Sequence, residues 1–140
     1  MNQAILTPAL ILILWSLAMM VWMYVTRIPA MRKARINAAK MKEKSEMDVL
    51  PRSVRQIADN YNHLHEQPVI FYALVFYSAL AGSVTDWLVG AAWIYVGLRI
   101  LHSLIQALWN FIPARFFTFL ASSLVLIFMA GVNVGALLGG

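Results

Sequence analysis

The 140-residue chain contains no cysteine. It can form no disulfide and offers no thiol for nucleophilic, redox or metal chemistry, so any thiol in its function must arrive on a ligand. Charge is scarce too. Only 12% of the residues are Asp, Glu, Lys or Arg, against about 25% in a typical soluble domain, while 61% are hydrophobic. That balance excludes an ordinary soluble globule of this size. No basic residue precedes the first apolar run, and the run is too long for a secretory h-region, so it reads as a retained span. Strand-period alternation, internal repeats and low-complexity tracts are all missing as well.

What is present is a series of long apolar runs. A helix of about 20 residues crosses a hydrocarbon core of ~30 Å. Spans are expected near residues 4–26, 54–82, 87–109 and 115–138, with a basic loop at 27–53. The fold class is therefore an all-α integral membrane four-helix bundle in a single domain. Nine of the eleven Lys and Arg lie between Arg27 and Arg55, which marks that loop as cytoplasmic and puts both termini on the other side. The same charge attracts anionic lipid headgroups. No stacking aromatics are interleaved with these cations, so nucleic acid is not an expected partner.

Several local signals set boundaries. Arg27 and Pro29 end the first membrane-embedded segment, and residues 30–50 read as an interfacial helix or a mobile loop. Ser53 with Gln56 has the spacing of a capping box at the start of the second helix. Pro68 lies inside that helix and predicts a kink near residues 64–68. The Gly82–Asp86 stretch is a turn on the outer side, and Asn110–Pro113 is a turn on the cytoplasmic side. Gly131, Gly135 and Gly139 recur every four residues and form a small surface suited to close helix packing.

The polar residues inside these spans are the candidate site. Arg55, Asp59, Asn62 and Glu66 fall at i, i+4, i+7 and i+11, on one face of a continuous helix. Arg99, His102 and Gln106 fall at i, i+3 and i+7 on the third span, and Asn110 extends that face. Arg99 lies ~16 Å from the Asn110 end at ~1.5 Å per residue, near mid-bilayer. An unpaired Arg there costs roughly 3–17 kcal/mol, so a partner is expected, and Glu66 is the nearest carboxylate by depth. Two readings follow. Arg99 and Glu66 form a buried pair that fixes helix register, or they share a polar pocket with Arg115. The surplus of polar residues over what one pair needs favours the pocket. A metal site is not expected, because His63 and His65 point different ways and no H-x-x-x-H or E-x-x-H spacing occurs. A proton relay through Glu66 and His102 would suit a transporter, but a single polar cluster without repeated halves fits alternating access poorly.

The stretch NYNHLHEQPVIFYAL, followed by WIYVGLRILHSLIQALWNFIPARFFTF, resembles the MAPEG family of membrane-associated proteins in eicosanoid and glutathione metabolism. Arg99-x-x-His102 and Pro113-x-Arg115 are similar to the R-x-x-H and P-x-R motifs of the family's eicosanoid-forming enzymes, and Glu66 before Pro68 is similar to their second-helix motif. The chain departs from the family at Gln106, which stands where the family has Tyr, at Phe111, which stands where the family has a pocket Arg, and at Phe116, where one eicosanoid-forming synthase has Ser; it looks more like the bacterial branch. The resemblance implies a homotrimer in the bacterial inner membrane, with a pocket between subunits and glutathione as cofactor. It implies that Arg55, Asp59, Asn62, Glu66, Arg99, His102 and Gln106 hold glutathione. It implies that Arg115 activates the thiol, since a nearby guanidinium lowers a thiol pKa. The function it implies is a glutathione-dependent transferase or peroxidase acting on lipophilic small molecules. The alternative is a non-enzymatic lipid-binding or scaffold protein of the same fold.

Overall fold

A computed structural model describes residues 2–36, 40 and 48–139. Most of the segment expected to be an interfacial helix or a mobile loop falls on 37–39 and 41–47, outside the described residues. The described part is all helical. Helix α1 is Asn2–Lys33, α2 is Arg52–His63, α3 is Gln67–Ala81, α4 is Asp86–Leu104 and α5 is Ile112–Gly139. A π-helical turn, Ile105–Trp109, extends α4. Helices α2 and α3 together occupy the place of the second expected span, so the architecture is four helical rods, one of them broken.

Among the described residues, three segments are long and apolar enough to cross a membrane: Gln3–Lys33, Asp86–Trp109 and Ile112–Gly139. Helix α3 has 15 residues and rises roughly 22 Å at ~1.5 Å per residue, short of a full crossing on its own. Helix α1 outruns its expected end. Pro29 sits inside it, and the helix stops only after Lys33, where Arg35 takes a left-handed φ of 57° and the Ile36 N–H reaches back to the Met31 carbonyl at 3.0 Å. The capping box is not formed. Pro51 precedes the first helical residue of α2, no side chain caps it, and Gln56 instead donates to the Ala107 carbonyl at 2.8 Å. At the opposite end, Gly82 takes φ 70°, the Ser83 N–H closes onto the Ser78 carbonyl at 3.1 Å, and Thr85 caps α4.

Helix α4 lies at the centre, packed most extensively on α5 and also on α1, while α1 covers α2 and α3. The apolar core is built from Ile5 and Leu12 of α1, Phe71 and Val75 of α3, Leu88, Ala92 and Tyr95 of α4, and Met129 of α5. Phe71 stacks on Tyr95 with ring centroids 4.5 Å apart. Two polar knots fix the register. Near the Gly82–Thr85 turn, Asn133 donates to Ser78 Oγ at 2.9 Å and accepts from Ser83 Oγ at 2.6 Å. Nearer the basic loop, Trp15 donates to Ser103 Oγ at 3.0 Å, and Ser103 donates to Asn60 Oδ1 at 2.7 Å. Away from the basic end much of the surface is apolar, with Leu80, Phe117, Ile127 and Leu138 all exposed.

Candidate functional site

Pro68 shapes the site. In one continuous helix it would offer no N–H to the Leu64 carbonyl, and its ring would collide with that group. The chain stops α2 at His63 and restarts α3 at Gln67, which puts Pro68 in a first turn, where a missing N–H costs nothing. The expected kink is thus a full break. Its turn is closed by the His65 N–H on the Asn62 carbonyl at 3.0 Å and the Glu66 N–H on the His63 carbonyl at 3.1 Å.

The break divides the stripe that a single helix would have carried. Arg55, Asp59 and Asn62 line a small cavity of about 100 Å³ together with Arg27 of α1 and Asp48. Glu66 lines a separate cavity of about 290 Å³ with His63, Gln67, Arg99, His102 and Arg115, against an apolar wall of Ile112, Phe116 and Phe119. Glu66, Arg99, His102 and Arg115 are therefore brought together, as the spacing suggests, and Arg55, Asp59 and Asn62 are not brought to them within one protomer.

Arg99 is 1% exposed. No ion pair joins it to Glu66 among the described residues; its Nη2 donates to the His63 carbonyl at 3.4 Å, and its Nε has no partner. The register pair considered from the sequence is not formed. His102 is 4% exposed, and its Nδ1 also lacks a partner. Buried polar atoms without partners cost about 1–3 kcal/mol each. Here both belong to side chains that border the same cavity.

Gln106 is buried in the π-helical turn, behind the cavity wall, and its Oε1 lies 3.0 Å from His63 Nδ1, fixing that ring. Gln67 ties three helices at the rim, accepting from the Tyr95 hydroxyl at 3.2 Å and donating to Ser123 Oγ at 2.6 Å. Arg115 sits in the first turn of α5. Its Nη1 donates to Asn110 Oδ1 at 2.8 Å, and its Nε is buried without a partner. His63 and Gln67 were not among the expected site residues, and nothing in the spacing of a continuous second helix marks them. Asn110, which the spacing puts on the face of Arg99, His102 and Gln106, enters the site through its bond to Arg115.

The cavity thus joins two guanidiniums, one carboxylate and two imidazoles to an aromatic wall. Guanidiniums take carboxylates in charge-assisted, bidentate fashion, and a carboxylate takes an ammonium. Such a site suits a small zwitterionic or anionic guest beside a lipophilic one. No curated protein and no solved structure matches this chain. The family model of MAPEG matches residues 5–135, nearly the whole length, and with its membrane-spanning helices the chain belongs to the MAPEG family as a multi-pass integral membrane protein.

Proposed function

We propose that this protein is a glutathione-dependent membrane transferase or peroxidase acting on lipophilic electrophiles. The observation that carries the reading is the cavity in which Glu66, Arg99, His102 and Arg115 meet, with Arg99 Nε and His102 Nδ1 buried and unpartnered. These groups fit the cofactor's chemistry. Glutathione has two carboxylates, one ammonium and one thiol. Arg99 takes a carboxylate, Glu66 takes the ammonium, and His102 offers a further polar contact. Gln106 holds His63 in place from behind. Arg115 stands at the thiol end, where its charge favours the thiolate. Bound glutathione supplies that thiolate for attack on, or reduction of, the electrophile. Ile112, Phe116 and Phe119 line the same cavity and give the electrophile an apolar approach.

The volume of about 290 Å³ lies at the low end of the ~300–1,000 Å³ usual for ligand sites. A homotrimer answers this. A neighbouring subunit could add its Arg55, Asp59 and Asn62 to complete the glutathione site. A methyl group at Gly131, Gly135 or Gly139 would meet no atom within 4 Å, so that small surface is open to a second helix. With the basic loop cytoplasmic, as in a bacterial inner membrane, the cavity opens toward the glutathione-bearing side.

Protein reconstituted in liposomes is expected to conjugate glutathione to a lipophilic aryl halide and release halide. Arg115→Ala should lower kcat/KM by about 10²-fold, the loss expected for one charge-stabilising group. Equal turnover by the variant and the native protein would overturn the reading.

One observation favours a second reading, a lipid-binding or scaffold protein. A larger cavity, about 700 Å³, lies at the other end of the bundle between α4 and α5, lined by Trp87, Ile94, Leu124 and Phe128. On that reading Arg115→Ala leaves function intact, and lipid co-purifies with the chain.

A further inference from the structure

We infer that Asn110 is a positioning residue for Arg115, holding the guanidinium at the cavity through a neutral acceptor that leaves its charge intact. The inference rests on the reading of Arg115 as the group that favours the glutathione thiolate. Asn110 ends the π-helical turn with φ 55° and ψ 39°, and its N–H bonds to the Ile105 carbonyl. A left-handed backbone is costly for most L-residues, and Asn is one of the few that tolerate it. That conformation swings the side chain toward the start of α5, where Oδ1 accepts from Arg115 Nη1 at 2.8 Å. The Arg115 N–H, in turn, bonds to the Phe111 carbonyl at 3.1 Å, so the first turn of α5 is fixed from both sides.

The chemistry of the acceptor matters. An Asp at this position would hold Arg115 as firmly but would neutralise it and weaken its pull on a thiol. An amide oxygen holds without neutralising. Arg115 Nε stays unpartnered, so its donor capacity is not consumed by the protein. A plainer account is that Asn110 serves only as a left-handed helix stop. Gly would serve that purpose equally well, and this separates the two accounts.

The experiment titrates the ultraviolet thiolate absorbance of glutathione bound to the full-length protein in detergent, with calorimetric affinity and thermal unfolding in parallel. His63, Glu66, Arg99 and His102 also face the cavity and are the same in every variant, so differences between curves report Asn110 and Arg115. Asn110→Gly keeps the backbone and removes the amide. It should raise the apparent pKa of the bound thiol by roughly 1 unit, with the melting temperature little changed. Asn110→Asp should raise it at least as far, and Arg115→Ala further still. An Asn110→Gly curve that superimposes on the native one, while Arg115→Ala shifts upward, overturns the inference and leaves the role of Arg115 standing. An Asn110→Asp curve matching the native one overturns the need for a neutral acceptor. No shift in Arg115→Ala, or no bound thiolate in the native protein, overturns both.

Discussion

A guanidinium at 1% exposure, with one long hydrogen bond and an unpartnered Nε, is an expense the bundle carries without return in stability. Replacing it by an unbranched apolar side chain should therefore not harm the fold. Arg99→Met is expected to leave the melting temperature unchanged or raised, while glutathione affinity falls about 10- to 100-fold, the worth of a charge-assisted hydrogen bond. Thermal unfolding and calorimetry check the pair of outcomes; a steep loss of stability with affinity unchanged would mean that Arg99 serves the fold alone. Asn133 presents the opposite case. Its amide is shared among Ser78, Ser83 and the Met129 carbonyl, and it lies outside the cavity lined by Arg99 and Arg115. Asn133→Ala should cost about 1 kcal/mol of stability, the size typical of hydrogen bonds between membrane helices, and should leave glutathione affinity unmoved.

At the scale of the element, the break between α2 and α3 decides which side chains meet. The spacing of Arg55, Asp59, Asn62 and Glu66 describes one face only if the helix is continuous. Pro68 ends that continuity, and Glu66 leaves the face its three predecessors share. The four rods, the turn between Gly82 and Thr85 and the meeting of Glu66, Arg99, His102 and Arg115 were legible because they follow from hydropathy and from the cost of charge at depth. The split of the stripe was not, because a kink and a full break carry the same sequence signal. The bond between Gln106 and His63 was hidden for a related reason: it depends on the π-helical turn, whose extra residue rotates everything beyond it. Pro68→Ala restores an N–H that lets α2 and α3 fuse. Glutathione affinity should fall several-fold while stability changes by no more than about 1 kcal/mol. Unchanged affinity would show that the break does not position Glu66.

For the whole molecule, the central expectation is a bundle lodged in lipid with its polar cavity toward the basic loop. The absence of cysteine makes the orientation simple to measure. Single Cys replacements at Lys33 and Thr85, near opposite ends of the bundle, should react with an impermeant maleimide from opposite sides of sealed vesicles. The Lys33 replacement should be protected in intact cells and the Thr85 replacement labelled. Native mass spectrometry from detergent should give three copies per particle; a monomer that still binds glutathione would remove the need for a neighbour's residues. The claim beneath all of these is that the cavity beside Arg99 and Arg115 takes glutathione. Isothermal titration of folded, detergent-solubilised protein tests it most directly. The account predicts saturable binding with a dissociation constant below about 1 mM, or roughly −4 kcal/mol, weakened about 10- to 100-fold in Arg99→Met. Heat no greater than dilution, from a protein whose unfolding transition is intact, would contradict it.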